Sequence, residues 1–378
     1  MLQKGKTSMI KKIISLICAI GIIFSISQNA LANEAQTEVL NLSLEDAIAM
    51  ASENAPQFVS ADNKIKDAER QLRQEEKNQL NLKGVPIPMP SGLQNAAVQQ
   101  GYYVEQAKIG VESAKIEKEK LENQLCYEVT QKYYSLKLAQ ALVESANNSY
   151  YLAIENKKIM ENQFALGMVA EIDVNNASYA VNQAKYMYES YVRNMEIAKK
   201  NLCISLQIDD KKYTLNLTDT IEYEEFSANL EEDIAASMNT RYDIFSLKSV
   251  YEQAKRYLNV AKLVGYSSAA YSSANQAVVQ SEYTYQNTKK MIALSINSSY
   301  NSILDARDSY KLAEEKLSLK KQEYNISKLQ HELGMITNTQ LIQVMNAVSQ
   351  SEIEFENSKL TYKLAVEKYG YEIATGLQ

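Results

Sequence analysis

Ala177, Val181, Ala184, Tyr188, Tyr191, Met195, Ala198 and Leu202 follow one another at alternating steps of four and three residues. A mean period of 3.5 puts them on one seam of a helix and predicts left-handed packing against another helix. The same register returns, at a shift of 167, in Val344, Val348, Ser351, Phe355, Ser358, Tyr362, Ala365 and Tyr369. The seam is made of small residues and tyrosines. Small residues allow helices to approach closely, and tyrosine adds apolar area with a hydroxyl that reaches water. Extended along the chain, the pattern predicts helices at about 44–83, 102–166 and 172–206, then 231–264, 268–333 and 338–375. Ser43 with Asp46 three residues on is a capping-box start. Gly167 and Gly334 sit where the two long helices must stop. Two short helices end to end match one long helix of roughly 100 Å, so mixed lengths build one uniform height.

The two halves are copies. Phe164-Ala165-Leu166-Gly167-Met168-Val169 returns as His331-Glu332-Leu333-Gly334-Met335-Ile336, and Tyr133, Ala139 and Ala146 align with Tyr300, Ala306 and Ala313. The starts align instead at a shift of 186, Ile48 with Ile234 and Ala68 with Ala254. The difference between the two shifts is about the length of the Pro-rich stretch from Gly84 to Tyr102. Between the halves, 209–230 is polar and β-like, with one short strand expected around Tyr213–Leu217. The expected division is therefore a first helical repeat over 33–208 with a connector at 84–101, a linker at 209–230, and a second repeat over 231–378.

Residues 1–32 read as an address. Lys4, Lys6, Lys11 and Lys12 precede an apolar run over 13–26, and Ala30-Leu31-Ala32 is a cleavage site before Asn33. The reading is a secretory signal peptide and an exported protein. In an oxidising compartment Cys126 and Cys203 are compatible with a disulfide or with two separate buried thiols.

Composition narrows the function. Lys and Arg total 40 against 46 Asp and Glu, a net charge of −6. Such a balance disfavours a phosphate-backbone binder, so no nucleic-acid partner is expected. All 4 prolines precede residue 91, leaving the remainder free for long helices. One His, no metal-spaced Cys, and no P-loop, GxSxG, HExxH or CxxC give no support for an enzyme, a metal site or a cofactor. The 26 tyrosines read as interhelical packing, and Glu-Lys runs such as 115–120 as a solvated helix face.

Together these features resemble the TolC-type outer-membrane efflux proteins. Leu42-Ser43-Leu44-Glu45-Asp46-Ala47-Ile48 followed by Asn54-Ala55-Pro56, its echo Arg241-Tyr242-Asp243-Ile244, the paired Leu-Gly-Met turns with Ile172-Asp173-Val174, and the duplication carry the likeness over about residues 40–376. The resemblance implies an all-α protomer of coiled-coil-like hairpins in two tandem repeats with few or no strands. It also implies a homotrimer closing into a hollow α-barrel in the cell envelope or outer membrane, an exit duct for small molecules or secreted proteins. The tips around Gly167, Met168, Gly334 and Met335 become the entrance, where a periplasmic adaptor and an inner-membrane pump dock. In the family, acids six and nine residues after the second tip glycine form a constriction. Here those positions are Gln340 and Gln343, and Asp173 alone keeps an acid at the first offset; His331 lies three residues before Gly334. The connectors at 84–101 and about 264–278 do not read as membrane strands, one being broken by prolines and the other short without alternation; membrane association through them is the remaining expectation. The alternative is an exported coiled-coil scaffold of the envelope without a tunnel. A duct needs two covered faces on its long helices, and 121–166 offers Leu125, Val129, Leu136 and Ala146 beside Tyr134, Leu138, Leu142 and Tyr151.

Overall fold

The computed structural model describes residues 38–88 and 92–376; the expected signal peptide lies outside the described residues. In chain order the elements are β1 (Glu38–Leu42), α1 (Leu44–Asn54), α2 (Pro56–Leu82), α3 (Leu93–Gln99), α4 (Tyr102–Ala165), α5 (Glu171–Leu206), β2 (Tyr213–Leu217), α6 (Leu230–Thr240), α7 (Tyr242–Ala261), α8 (Ala269–Glu332) and α9 (Asn338–Ala374). Both α4 and α8 have 64 residues, about 96 Å at 1.5 Å per residue.

Two short helices run end to end along each long one. The first half of α4 packs on α2 and its second half on α5; α8 packs on α7 and then α9. The halves join through α4, which meets α7 along its first third and α9 from its middle onward, Asn123 bonding Thr375 and Ser149 bonding Ser349. Arg256 reaches Glu105 at 3.6 Å on the first of these seams, and Ser145 Oγ donates to Glu352 at 2.8 Å on the second. The result is a layer four helices wide, ordered α2–α4–α7–α8 at one end and α5–α4–α9–α8 at the other. α4 thus has covered faces on both sides, with Leu125, Val129, Leu136 and Tyr134 buried, although Tyr151 is exposed. The fold class is the one expected from the heptad seams, whose members Ala177, Leu202, Ser351, Tyr362 and Tyr369 are buried.

Several boundaries differ from the sequence reading. The helix expected over 44–83 is broken at Ala55, whose ψ of 105° is extended, because Pro56 disfavours α conformation in the residue before it. The helix expected over 231–264 breaks at Arg241, with ψ of 138°, without a proline. Arg241 is related to Ala55 by the shift of 186, so both repeats break at one place. At the second break the buried Arg241 guanidinium clasps Asp243 at 3.0 and 2.7 Å and donates to the Glu372 carbonyl at 2.9 Å. The connector over 84–101 is not wholly irregular, since α3 forms after its prolines, burying Ala96 and Ala97 beside Val260 of α7. The extra length of the first repeat is shared between two places. Part lies in the first connector, which occupies 83–101 against 262–268 in the second repeat, and about two helical turns make α2 longer than α7.

The linker strand exists, and it has a partner that the sequence reading left out. β1 and β2 pair in parallel with Leu40 opposite Leu215, Asn41 opposite Asn216 and Leu42 opposite Leu217. The same tripeptide stands in both strands, and the two asparagine side chains bond at 2.7 Å. Leu42, Leu215 and Leu217 bury into a core with Leu125, Val129, Leu136, Leu202 and Leu206. Tyr133 fastens the sheet to α4: its hydroxyl donates to the Leu42 carbonyl or the Asp219 carboxylate, both at 2.9 Å, and accepts from the Asp219 N–H at 3.2 Å. A second core joins Ile244, Ile292, Ile296, Ile303, Tyr310, Tyr362 and Tyr369. Among the described residues no helix is long and apolar enough to cross a membrane.

Candidate functional site: the hairpin tips and the helical edges

Each long helix ends in the same backbone device. Gly167 and Gly334 have φ of 70° and 74°, the left-handed region where glycine meets no Cβ clash. Met168 N–H donates to the Gln163 carbonyl at 2.8 Å and Gly167 N–H to Phe164 at 2.9 Å; Met335 to Gln330 and Gly334 to His331 repeat those bonds at 2.8 and 2.9 Å. Both are Schellman closures. The following helices are capped three residues in. The Asp173 carboxylate accepts from the Ala170 N–H at 3.1 Å. Gln340 accepts from the Thr337 N–H at 2.8 Å, while the Thr337 hydroxyl accepts from the Gln340 N–H at 3.3 Å. The residues expected at a constriction thus hold helix starts. Gln343 is exposed one turn further on, and His331 is half-buried in the last turn of α8.

The tip glycines need their conformation but not space, because a Cβ on either meets nothing within 4 Å. Gly167→Ala and Gly334→Ala each cost about 1 kcal/mol, which appears as roughly fivefold faster amide hydrogen exchange at Met168 and Met335. Replacement by Asn, which tolerates this region, gives a smaller effect. Unchanged exchange in both alanine variants contradicts the cap.

The two tips lie side by side. Ser149 Oγ bonds Ser349 Oγ at 3.2 Å and Ser145 bonds Glu352. Those α4 residues stand 18 and 22 positions from Gly167, and the α9 residues 15 and 18 from Gly334. The first tip therefore projects three or four residues beyond the second. These cross-hairpin contacts escaped the sequence reading because they lie outside the tyrosine-rich seam; Glu352 is also held within its own hairpin by Lys321 at 3.1 Å. Ser149, Ser349 and Glu352 border a cavity of about 150 Å³ whose lining mixes polar groups such as Asn148, Asn156 and Asn346 with apolar ones such as Leu152, Ile342 and Met345. Leu166, Met168, Leu333 and Met335 leave both tips apolar and exposed.

Each lateral edge of the layer carries an exposed apolar stripe as well. On α5, Ile172, Tyr179 and Tyr186 are exposed at intervals of seven; Leu319 and Ile326 on α8 and Leu333 at its C-terminal cap are exposed at the same interval. Allowing for the offset of the tips, Ile172 stands level with Leu333, Tyr179 with Ile326, and Tyr186 with Leu319. These helices are at opposite edges of the layer, so the rungs of the two stripes do not touch within one chain.

Cys126 and Cys203 are free thiols. Burial pushes the Cys126 thiol up to about 11 and raises that of Cys203, so neither is a thiolate at neutral pH.

No protein-family profile and no curated protein matches the chain. Solved structures do. The Campylobacter jejuni CmeC outer membrane channel is similar with a TM-score of 0.70 and 16% identity, over 94% of each chain. The Neisseria gonorrhoeae MtrE outer membrane channel in its open state gives 0.68 and 13%, over 89% of each chain. The Vibrio cholerae outer membrane protein VceC gives 0.66 and 12%, over 89% of this chain and 97% of that one. The chain has the fold of these outer-membrane channels, the fold that the TolC resemblance implies.

Proposed function

We propose that the protein is the exit duct of an efflux or export system in the cell envelope, built from three copies closed into a hollow helical barrel. The observation that carries this reading is the pair of apolar edge stripes. A layer with different complementary edges associates head to tail, and such contacts close into a ring when the rotation allows. An axis parallel to the helices keeps each residue at its height, so the three rungs coincide in every interface. The similar solved structures are channels, and the TolC resemblance supplies the number three. Nothing is chemically transformed; small molecules or secreted proteins pass through.

In this reading the entrance is the ring of tips. Gly167, Met168, Gly334 and Met335 present exposed apolar turns to a periplasmic adaptor and an inner-membrane pump. His331, Asp173, Gln340 and Gln343 stand within three turns of them. With glutamines at both second-repeat offsets, Asp173 is the one acid left at those offsets, so they favour cations less than a full set of carboxylates would. The test is native mass by light scattering with end-on electron microscopy of the purified protein. A trimer with a central opening is expected. A monomer, or a two-fold dimer with a solid cross-section, overturns the duct and leaves the envelope scaffold.

A further inference from the structure

The end of the molecule opposite the tips is chemically unlike the rest. Residues 77–104 and 253–281 contain no Asp or Glu. The chain has 46 acids in 378 residues, which at uniform density would place about seven in those 57 positions. The fold gathers the two segments at one end. α2 and α7 finish there, α4 and α8 begin there, and α3 packs on α2, α4 and α7. Four acids bound these segments, Glu76, Glu105, Glu252 and Glu282; Glu105 is matched with Arg256 at 3.6 Å and Glu252 with Lys255 at 3.3 Å. Among the described residues Lys77, Lys83 and Lys262 lie in no ion pair, and all three are exposed. In a chain of net charge −6, this end is locally cationic.

The same end exposes apolar groups. Leu80 and Val85 project from the end of α2 and the proline connector, and Leu263 and Tyr266 from the turn between α7 and α8. That turn, 262–268, is seven residues long and contains no strand. A bilayer-spanning strand takes roughly 9–11 residues, so it cannot supply a spanning pair. Apolar and tyrosine side chains beside unpaired lysines are the composition that settles into a headgroup layer without crossing it.

We propose that this acid-free end is a peripheral membrane contact, with Lys77, Lys83 and Lys262 meeting anionic phospholipid headgroups and Leu80, Val85, Leu263 and Tyr266 entering the interface. The contact belongs to the single chain and stands whether or not three copies form a duct. An acidic protein or a polyanion fits the lysines but leaves the exposed apolar groups without a role, which is why lipid is favoured.

The test is vesicle co-sedimentation of the chain from Asn33 onward. This avoids the apolar run over 13–26, which would bind lipid by itself, and keeps the described residues, which form one compact unit. Binding is expected to phosphatidylcholine vesicles containing phosphatidylglycerol and not to phosphatidylcholine alone, and it weakens with added salt. The double variant Lys83→Glu/Lys262→Glu weakens it by at least about tenfold. Leu263→Asp/Tyr266→Asp abolishes retention, while Met168→Asp at the opposite end leaves it intact. All these positions are exposed, and unchanged far-ultraviolet circular dichroism verifies the fold. Binding to neither vesicle, equal binding to both, or full binding by the two double variants overturns the proposal. So does binding to soluble polyphosphate with none to vesicles. None of these results bears on the ring-shaped trimer, which is judged by mass and microscopy.

Discussion

Titrated from pH 9 to pH 12, the protein loses its helix in a cooperative transition, and much of its tyrosinate absorbance appears only with that loss. The cause is burial. Tyr102, Tyr127, Tyr134, Tyr191, Tyr310, Tyr362, Tyr369 and Tyr371 are all raised above the ordinary tyrosine value by desolvation. Desolvation also pushes Tyr133 up to about 12. A phenol whose folded value is raised binds its proton more tightly in the folded state. Its contribution to stability is complete below the unfolded value near 10 and is lost as pH climbs toward the folded value. For Tyr133, fully buried, the loss is on the order of 2–3 kcal/mol. The other eight raised tyrosines lose stability in the same direction, against the roughly 5–15 kcal/mol that holds a typical domain. The measurement is ellipticity at 222 nm against absorbance at 295 nm in one titration. If all 26 tyrosines ionise near pH 10 with ellipticity unchanged, the aromatic seams are not the closed interiors described above.

The tyrosines also show why the fold was largely legible. A period of 3.5 with matching halves fixes which face of each helix is covered, and burial of Ala177, Leu202, Tyr362 and Tyr369 follows from it. The tip glycines were legible because a left-handed stop has few chemical solutions. What escaped notice was pairing. β1 is a pentapeptide whose strand state depends on a partner beyond the whole first repeat, yet Leu40-Asn41-Leu42 repeating in Leu215-Asn216-Leu217 was a readable signal. The break at Arg241 has no local breaker; it is set by a guanidinium reaching Asp243 and Glu372, and only the shift of 186 from Ala55 pointed to it. Asp173 and Gln340 were read through their distance from a glycine. That distance places each three residues into the next helix, where cap chemistry claims the side chain before any role in a channel.

Replacing Leu319 and Ile326 together by Glu should convert the assembly to folded monomers. The argument turns on where those side chains are. In the single chain Leu319 is 57% exposed and Ile326 60%, so charges there disturb little of the fold, within about 0.5 kcal/mol each. In a closed ring the same positions face Tyr186 and Tyr179 of the adjoining copy, and a fully covered leucine is worth about 1.5–3 kcal/mol. Each interface would lose two rungs and gain two desolvated carboxylates, and every interface of the ring is affected alike. Light scattering should show the monomer mass with helical content unchanged. The levels of the rungs make the prediction specific. Leu319→Glu paired with Tyr186→Lys recovers more association than Leu319→Glu paired with Tyr179→Lys, because only the first puts opposite charges at one height. Equal recovery by both would mean that the edges meet in another register. Assembly undisturbed by the double glutamate would mean that these stripes are not the seam, and the ring built on them would have to be given up.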